Sequence, residues 1–396
     1  RIFLFIKRDD YERNYMKDLS EIRCDIDAID RQIVSLYEQR MGLAAEVAEY
    51  KIANHKNVYD KAREDDKLKT LAGLVPDEFL KQGVVELFEQ IMSTSRKKQY
   101  QMLAEAGQIE PLGFRAIDAL DAKDKRIVYQ GVEGAYAQMA MQQFFGKECP
   151  GEAVATWRDA MEAIQSGYVD YAVLPIENSS AGIVAENYDL LMEYDVTIVG
   201  EQIIKIDHAL LGVKGAKIED ITVVYSHPQA LMQCADYLDD HAKMERKALK
   251  NTAQKVKEYG LKNQAAIAGV HNAGIYELDV LDQAIQDNKE NETRFIIVAK
   301  DKTYLQSADK VSLCFALPDD EAGALYRIMS HFIFNGINLT RIESRPSKGG
   351  SWGYQFFIDF EGNLRQEAVV NALRGLKEET SSFRILGNYQ SFAKEN

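Results

Sequence analysis

The sequence predicts three successive folding units: an all-α bundle, an α/β region, and an α+β module of order βαββαβ. Three observations predict this. Apolar residues recur at 3-4 spacing over residues 17–104. From Arg126 the pattern becomes short apolar runs ending in Gly, Ser, Thr or Asn, each followed by an amphipathic stretch. From Val311 strand and helix patterns alternate in a fixed order to the end of the chain.

Composition bounds the answer. The chain has 396 residues, 46% hydrophobic and 28% charged, enough apolar material for several cores. A net charge of −14 excludes an overall nucleic-acid footprint, which needs clustered Lys and Arg. Cys24, Cys149, Cys234 and Cys314 are scattered, with no CxxC, so neither a zinc cluster nor a disulfide framework is expected. Four free thiols suit a reducing, cytoplasmic location. No apolar run approaches the roughly 20 residues that span a bilayer. Residues 1–15 carry one short apolar run, Ile2–Ile6, and are read as an N-terminal extension ahead of Met16.

In the helical unit (16–104) the stripe is Leu19, Ile22, Ile26, Ile29, Ile33, Leu36, Leu43, Val47 and Tyr50, the seam of a long helix packed against others. Asp60 caps a second helix and Asp77 a third. Arg40 interrupts the seam between Leu36 and Leu43, so it needs an anionic partner. Lys51 follows after about three turns, roughly 20° away around the helix and about 16 Å along it, so both side chains can converge on one small ligand. Ser95 and Gln99 are i and i+4 on the third helix, with Ser95 on its apolar stripe beside Phe88 and Ile91. A wet bundle core with internal ion pairs is the alternative.

This polar pattern resembles the all-helical chorismate mutase family at Arg23, Arg40, Lys51, Asp60, Arg63, Glu64, Ser95 and Gln99. The resemblance implies that Arg23, Arg40 and Arg63 take carboxylates, Lys51 and Gln99 face the ether oxygen, and Glu64 takes a hydroxyl. Asp60 and Ser95 complete the implied set. The reaction is a unimolecular rearrangement that needs a folded dicarboxylate and charge stabilisation at the ether oxygen. Arg23 lies about 25 Å along the helix from Arg40 and on another face. It can join that pocket only from a second chain, so a homodimer or higher oligomer with shared sites is expected.

Residues 105–124 and 301–310 read as linkers around the α/β region (125–300). Helix starts there carry Asn178-Ser179-Ser180, Ser226-His227-Pro228 and Asn251-Thr252-Ala253, suited to a small carboxylate or to plain N-capping. Gly131-Val132-Glu133-Gly134 is too loose to signal a dinucleotide. Four motifs resemble prephenate dehydratases: Leu174-Pro175-Ile176-Glu177-Asn178-Ser179, Ile206-Asp207-His208, Tyr225-Ser226-His227-Pro228-Gln229 with Gln233, and Thr293-Arg294-Phe295. Val132, Ala137, Asn251 and Gly269 depart from that family's commoner residues. The resemblance implies two lobes around a cleft, like type II periplasmic binding proteins. It also implies a decarboxylation with loss of hydroxide that needs neither metal nor cofactor. Thr293 is expected to donate to the leaving oxygen, with Glu177 or a water as proton source. Asn178, Ser226, Gln233, Thr252 and Phe295 are expected to contact substrate. Arg294 either pairs with a substrate carboxylate or is a structural ion-pair residue.

In the last unit (311–396) the expected elements are strand Val311–Leu317, helix Gly323–Asn335, strand Ile337–Arg345, strand Tyr354–Phe360, helix Arg365–Glu378 and strand Phe383–Gly387. This is the ferredoxin-like order. Gly323-Ala324-Leu325-Tyr326 and Glu343-Ser344-Arg345-Pro346 resemble the effector motifs of ACT regulatory domains. The resemblance implies L-phenylalanine feedback, with Gly323, Ala324, Leu325, Asn338, Glu343, Ser344 and Arg345 at the effector site. A pure dimerisation module is the alternative.

Together the resemblances follow the order of the bifunctional chorismate mutase–prephenate dehydratases of phenylalanine biosynthesis. That implies the substrates chorismate and prephenate, and no nucleic-acid or membrane partner. Two other readings stand beside it: a prephenate or arogenate dehydratase whose helices only dimerise, and a non-catalytic amino-acid sensor.

Overall fold

The computed structural model describes residues 17–107, 112–318, 323–346 and 353–392, so the expected extension 1–15 lies outside the described residues. They form two compact units. The first comprises the N-terminal helices with 323–336 and 370–379; the second holds the rest.

In the first unit, α1 (Leu19–Ala53), α2 (Lys61–Ala72) and α3 (Glu78–Glu105) form the bundle. The Asp60 carboxylate accepts from the Arg63 N–H at 3.1 Å, and that of Asp77 from the Leu80 N–H at 2.9 Å. Each removes an orphan donor at a helix start. α1 meets α3 through small residues, Ala44 and the fully buried Ala48. The Leu/Ile seam expected to pack within the chain does not: Leu36 is 63% and Leu43 60% exposed. Periodicity identifies an apolar face, whereas the small face decides which side approaches α3.

The second unit begins with β1 (Arg115–Ile117). One lobe then runs β2 (Ile127–Gln130), α4 (Tyr136–Phe145), β3 (Gly151–Val154), α5 (Trp157–Gln165), β4 (Tyr171–Asn178), β5 (Gly182–Ile183), α6 (Ala185–Glu193) and β6 (Thr197–Lys205). The chain crosses to a second lobe of β7 (His208–Gly212), β8 (Val223–Ser226), α7 (Pro228–Gln233), α8 (Ala235–Asp240), β9 (Glu245–Ala248), α9 (Thr252–Tyr259), β10 (Gln264–Gly269), α10 (Asn272–Tyr276) and β11 (Asp279–Gln283). It returns through β12 (Glu292–Ala299) and β13 (Thr303–Leu305). The second lobe's sheet has order β11-β7-β10-β8-β9. Two lobes joined by two crossings match the expected architecture. The two segments read as linkers carry β1 and β13, which pair in parallel. Three-residue strands are too short to show an alternation.

The lobes are clasped by the Gly131–Gly134 loop. The Gly134 carbonyl accepts from Asn272 Nδ2 at 3.1 Å and lies 2.7 Å from His271 Nε2, and the Glu133 carbonyl accepts from the Tyr276 hydroxyl at 2.6 Å. Gly134 has φ +82°, and a Cβ there would fall 2.1 Å from Asn272 Oδ1, so only glycine fits.

The C-terminal order is β14 (Lys310–Ala316), α11 (Ala324–Phe334), β15 (Leu339–Pro346), β16 (Tyr354–Glu361), α12 (Glu367–Glu379) and β17 (Ser382–Tyr389). The strands stack β15-β16-β14-β17, the ferredoxin-like arrangement, and β17 continues in parallel onto β6 of the first lobe. The joint is Gly387 against Ile198, where a Cβ would lie 2.0 Å from the Ile198 carbonyl oxygen. One sheet therefore runs β15-β16-β14-β17-β6-β12-β4-β2-β3. Helix α11 and most of α12 belong to the first unit, where α11 packs on α3.

Candidate active sites

In the first unit α1 carries Arg40 and Lys51 and α3 carries Ser95 and Gln99, and one hydrogen bond joins the two helices at the expected residues. Arg40 Nη1 donates to Ser95 Oγ at 2.7 Å, and Ser95 Oγ donates back to the Ile91 carbonyl at 2.8 Å. Gln99, one turn on, is buried, and its Oε1 has no hydrogen-bond partner. Lys51 Nζ donates to the Val58 carbonyl at 2.6 Å. Burial lowers the pKa of Arg40, against the pull of Glu64; burial and then the Arg63 charge lower that of Lys51. Two half-buried cations on one helix, Arg40 and Lys51, suit an anionic ligand.

Of the other expected residues, Glu64 and Arg63 lie near enough for their charges to act on Arg40 and Lys51 respectively. Arg23 is exposed near the start of α1 and does not reach Arg40. Asp60 is spent on capping α2, and Arg63 is exposed. Glu64 pairs with Arg96, a residue that sequence reasoning missed. Arg96 is buried, takes Glu379 Oε1 on Nε at 2.8 Å, and lies over the Tyr59 ring at 4.9 Å. The available signal was Arg96-Lys97, two cations on the inward half of an amphipathic helix.

In the second unit Asn178 ends β4 and Thr293 is the second residue of β12, paired with it across the ladder. Asn178 Oδ1 accepts from the backbone N–H groups of Ser180 (3.0 Å) and Ala181 (2.8 Å). Two obligate donors on the oxygen fix the amide orientation. Its Nδ2 then faces Thr293 Oγ1 at 2.9 Å, Asn291 Oδ1 at 2.8 Å and the Glu292 carbonyl at 3.1 Å. Thr293 is therefore an acceptor from Asn178, and its own hydroxyl proton is left to donate.

The hinge beside this pair is built from the second motif. The Asn291 carbonyl accepts from the Ile206 N–H at 2.8 Å, and the His208 N–H donates to Gln286 Oε1 at 2.9 Å. His208 Nε2 lies 3.0 Å from Gln233 Oε1, and the Tyr136 hydroxyl donates to the Asp207 carbonyl at 2.8 Å. Burial lowers the His208 pKa, so a neutral ring fits its buried position. Ser226 is buried and donates to the Ile267 carbonyl at 2.7 Å. Thr252 opens α9 behind Asn251, whose φ is +58° and whose side chain makes no cap bond. His227 caps α7, accepting from the Gln229 N–H at 3.3 Å.

Two expected substrate residues are placed otherwise. Arg294 points away from Thr293 and is consumed by protein partners: Glu201 at 2.8 Å, Asp359 at 2.9 Å and the Tyr389 hydroxyl at 3.1 Å. All three nitrogens are engaged, so of its two readings the structural ion pair is the one observed. Strand alternation sends Arg294 and Thr293 to opposite faces. Phe295 is buried in the hydrophobic core with Tyr129, Val173 and Val199. Glu177 sits 3.2 Å from Arg341 and 3.9 Å from Arg294.

Among the expected effector residues, Gly323 caps α11 with φ +78°, and Ala324 and Leu325 open that helix. Asn338 is exposed, and its carbonyl accepts from the Glu361 N–H at 2.9 Å. Glu343, Ser344 and Arg345 lie on β15, where Ser344 is exposed and Arg345 is 3.6 Å from Asp189. Among the described residues no group of His, Cys, Asp and Glu is arranged to hold a metal, and no helix is long and apolar enough to cross a membrane.

The chorismate mutase type II family model matches residues 22–100, and the prephenate dehydratase model matches 127–303. A bifunctional chorismate mutase/prephenate dehydratase of Aquifex aeolicus is 33% identical over 380 residues, covering 94% of this chain and 98% of that protein. The Escherichia coli K12 protein of that description is 31% identical, covering 94% and 96%. Among solved structures, a prephenate dehydratase from Arthrobacter aurescens in complex with L-Phe superposes with TM-score 0.61 at 30% identity, covering 67% of this chain and 89% of that one. A structure described as GqqA, a quorum-quenching acylase, gives 0.62 at 29%, covering 68% and 98%. With both catalytic regions matched and similarity running along nearly the whole length, the chain belongs to the bifunctional chorismate mutase/prephenate dehydratases, which carry chorismate through prephenate to phenylpyruvate.

Proposed function

We propose that the Arg40, Lys51, Ser95 and Gln99 cluster is the mutase site and the Asn178–Thr293 pair the centre of the dehydratase site. Residues 16–104 form the mutase domain, 125–300 the dehydratase domain and 311–396 an ACT module. In the mutase step the ether C–O bond breaks as the new C–C bond forms. Arg40, steadied by Ser95, holds a carboxylate, while the Lys51 ammonium and the Gln99 Nε2 donors stabilise the ether oxygen. Glu64 accepts from the ring hydroxyl.

The site is completed by a second copy. Taking Leu36 as the centre of the exposed seam, Arg40 and Lys51 lie roughly 40° and 60° around α1, and the buried Ala44 roughly 80°. Both cations thus border the uncovered face, which a second α1 would close while delivering its Arg23. The length of the exposed seam, Leu19 to Tyr50, supports this.

In the dehydratase step the ring carboxylate leaves as CO₂. The released electron pair aromatises the ring as the C–OH bond breaks, and the hydroxide leaves as water. The observation that carries this reading is the fixed Asn178 amide, which makes Thr293 a directed donor to the departing oxygen. Glu177 is committed to Arg341, so cleft water supplies the proton. Ser226, Gln233 and Thr252 orient the substrate.

L-Phenylalanine is the feedback effector, implied by the motifs at Gly323–Leu325 in the first unit and, separately, at Asn338 and Glu343–Arg345 in the second. The same strand β15 carries Arg341, which contacts Glu177, the neighbour of Asn178. The reading is of a cytoplasmic enzyme, supported by its four unpaired thiols. A coupled assay on the full chain tests the whole scheme: chorismate is supplied, and phenylpyruvate is measured with and without L-phenylalanine. Phenylpyruvate suppressed by phenylalanine is expected. Prephenate accumulating alone refutes the Thr293 assignment, and unconsumed chorismate refutes the Arg40/Lys51 one.

A further inference from the structure

Within the first unit, the residues assigned to the mutase step are held from behind by the C-terminal helices. Arg96, mid-way along α3, bridges Glu64 on α2 and Glu379 at the end of α12. Its Nη2 makes a second contact to Glu379 at 3.2 Å. Behind Glu379 stands His331 of α11, its Nε2 at 3.1 Å. That ring needs a glycine opposite: a Cβ at Gly375 would lie 2.3 Å from His331 Cε1. The neighbouring Glu378 accepts from the Tyr100 hydroxyl at 2.9 Å and the Tyr59 N–H at 3.2 Å. Tyr59 follows Val58, whose carbonyl takes Lys51.

We propose that Arg96 and Glu379 are positioning residues for the mutase reaction: the α12 carboxylate fixes the Arg96 guanidinium, and Arg96 sets the orientation of Glu64 toward the substrate hydroxyl. The geometry supports this over a merely structural pair. Arg96 presents separate nitrogens to the two carboxylates, a planar fork that transmits orientation as well as charge. Glu64 is the only one of the two carboxylates that remains partly exposed, with 23% of its side chain accessible against 6% for Glu379. One end of the bridge is thus anchored and the other faces outward. The mutase site therefore extends to residues almost three hundred positions away in sequence, in helices that the βαββαβ order assigns to the regulatory module.

The inference rests on the assignment of Glu64 to the mutase site, and the test separates the two. Full-length Glu64→Gln, Arg96→Gln, Glu379→Gln, Arg96→Lys and the double variant Glu64→Gln/Arg96→Gln are compared. Chorismate loss gives kcat and KM, and dehydratase activity on added prephenate reports folding in the same samples. The expected result is a fall in mutase kcat of about 10-fold or more for Arg96→Gln, a smaller fall for Glu379→Gln, and partial rescue by Arg96→Lys. The double variant should be no worse than Glu64→Gln alone, because Arg96 acts through Glu64. Multiplying losses in the double variant overturn the proposal. So does mutase kcat within about twofold of the parent for Arg96→Gln and Glu379→Gln while Glu64→Gln is impaired, which leaves the Glu64 assignment standing. An unimpaired Glu64→Gln overturns that assignment and the proposal together. Should Arg96→Gln lose both activities through misfolding, the near-isosteric Glu379→Gln and its double variant with Glu64→Gln decide the question by the same criteria.

Discussion

Replacing Arg294 with methionine is expected to unfold the dehydratase half well before it weakens substrate binding. The Arg294 side chain is 14% exposed, and its guanidinium joins Glu201, Asp359 and the Tyr389 hydroxyl. Glu201 keeps Lys310 at 2.5 Å and the Phe392 N–H at 2.9 Å after the change. Asp359 keeps only the Ser312 hydroxyl among the side-chain bonds described, and its charge becomes unpaired. Removing one partner of a buried pair costs about 3–5 kcal/mol, and the cover left on Glu201 puts the expected loss at about 3 kcal/mol. For a unit of this size that is a fall in Tm of about 6–12 °C. Adding Asp359→Asn neutralises the orphan and should recover about 1–2 kcal/mol. Thermal and urea unfolding of the single and double variants, with KM for prephenate at a temperature where both are folded, is the assay. A loss under about 1 kcal/mol together with a KM rise of tenfold or more would refute the reasoning and make Arg294 a substrate ligand.

Four further outcomes are expected. Thr293→Val keeps the shape and leaves Asn178 two other acceptors, so folding should hold while dehydratase kcat on prephenate falls about 10²–10³-fold and chorismate turnover is unchanged. Arg341→Gln removes the contact to Glu177 from β15, so calorimetry should show phenylalanine still binding while its inhibition of prephenate turnover weakens several-fold. Ile29→Glu with Ile33→Glu places charge on the exposed α1 seam; ultracentrifugation should show smaller species and the mutase rate should collapse, with prephenate turnover retained. Burial raises the Glu379 pKa, but His331 and Arg96 outweigh it and hold it at about 2 instead of 4.5. Its stabilisation, on the order of 3 kcal/mol, is complete above pH 4.5, shrinks below that and is gone once pH falls through about 2. Unfolding free energies from urea melts between pH 6 and 2.5 should fall less in Glu379→Gln than in the parent, by about 2 kcal/mol over that range.

Local pattern carried the elements further than it carried their partners. The strand expected at Val311–Leu317 is observed at Lys310–Ala316, and the helix expected at Arg365–Glu378 at Glu367–Glu379. These lengths contain several periods of alternation or helical repeat. Asn178 and Thr293 were legible because each lies in a motif, and the ladder then pairs them. Arg96 was not legible, since its meaning depends on Glu379, far along the chain. Arg294 was half legible: a strand tells which face a residue takes but not what lies opposite. The α1 seam shows the same limit, because 3-4 spacing marks a stripe that must be covered and is silent on the covering surface.

The Gly387–Ile198 joint has a consequence for how such enzymes can be divided. Since β17 pairs with β6 at Ile198, the four C-terminal strands act as a hem on the sheet of the first lobe. Excising residues 306–396 would uncover β6 at Ile198, in a strand rich in Ile and Val, and leave backbone groups there without β17. Such an edge is a template for strand addition by neighbouring molecules. A regulation-free dehydratase is therefore better sought by point changes on β15 than by trimming the chain, because deletion trades an allosteric brake for a sticky edge.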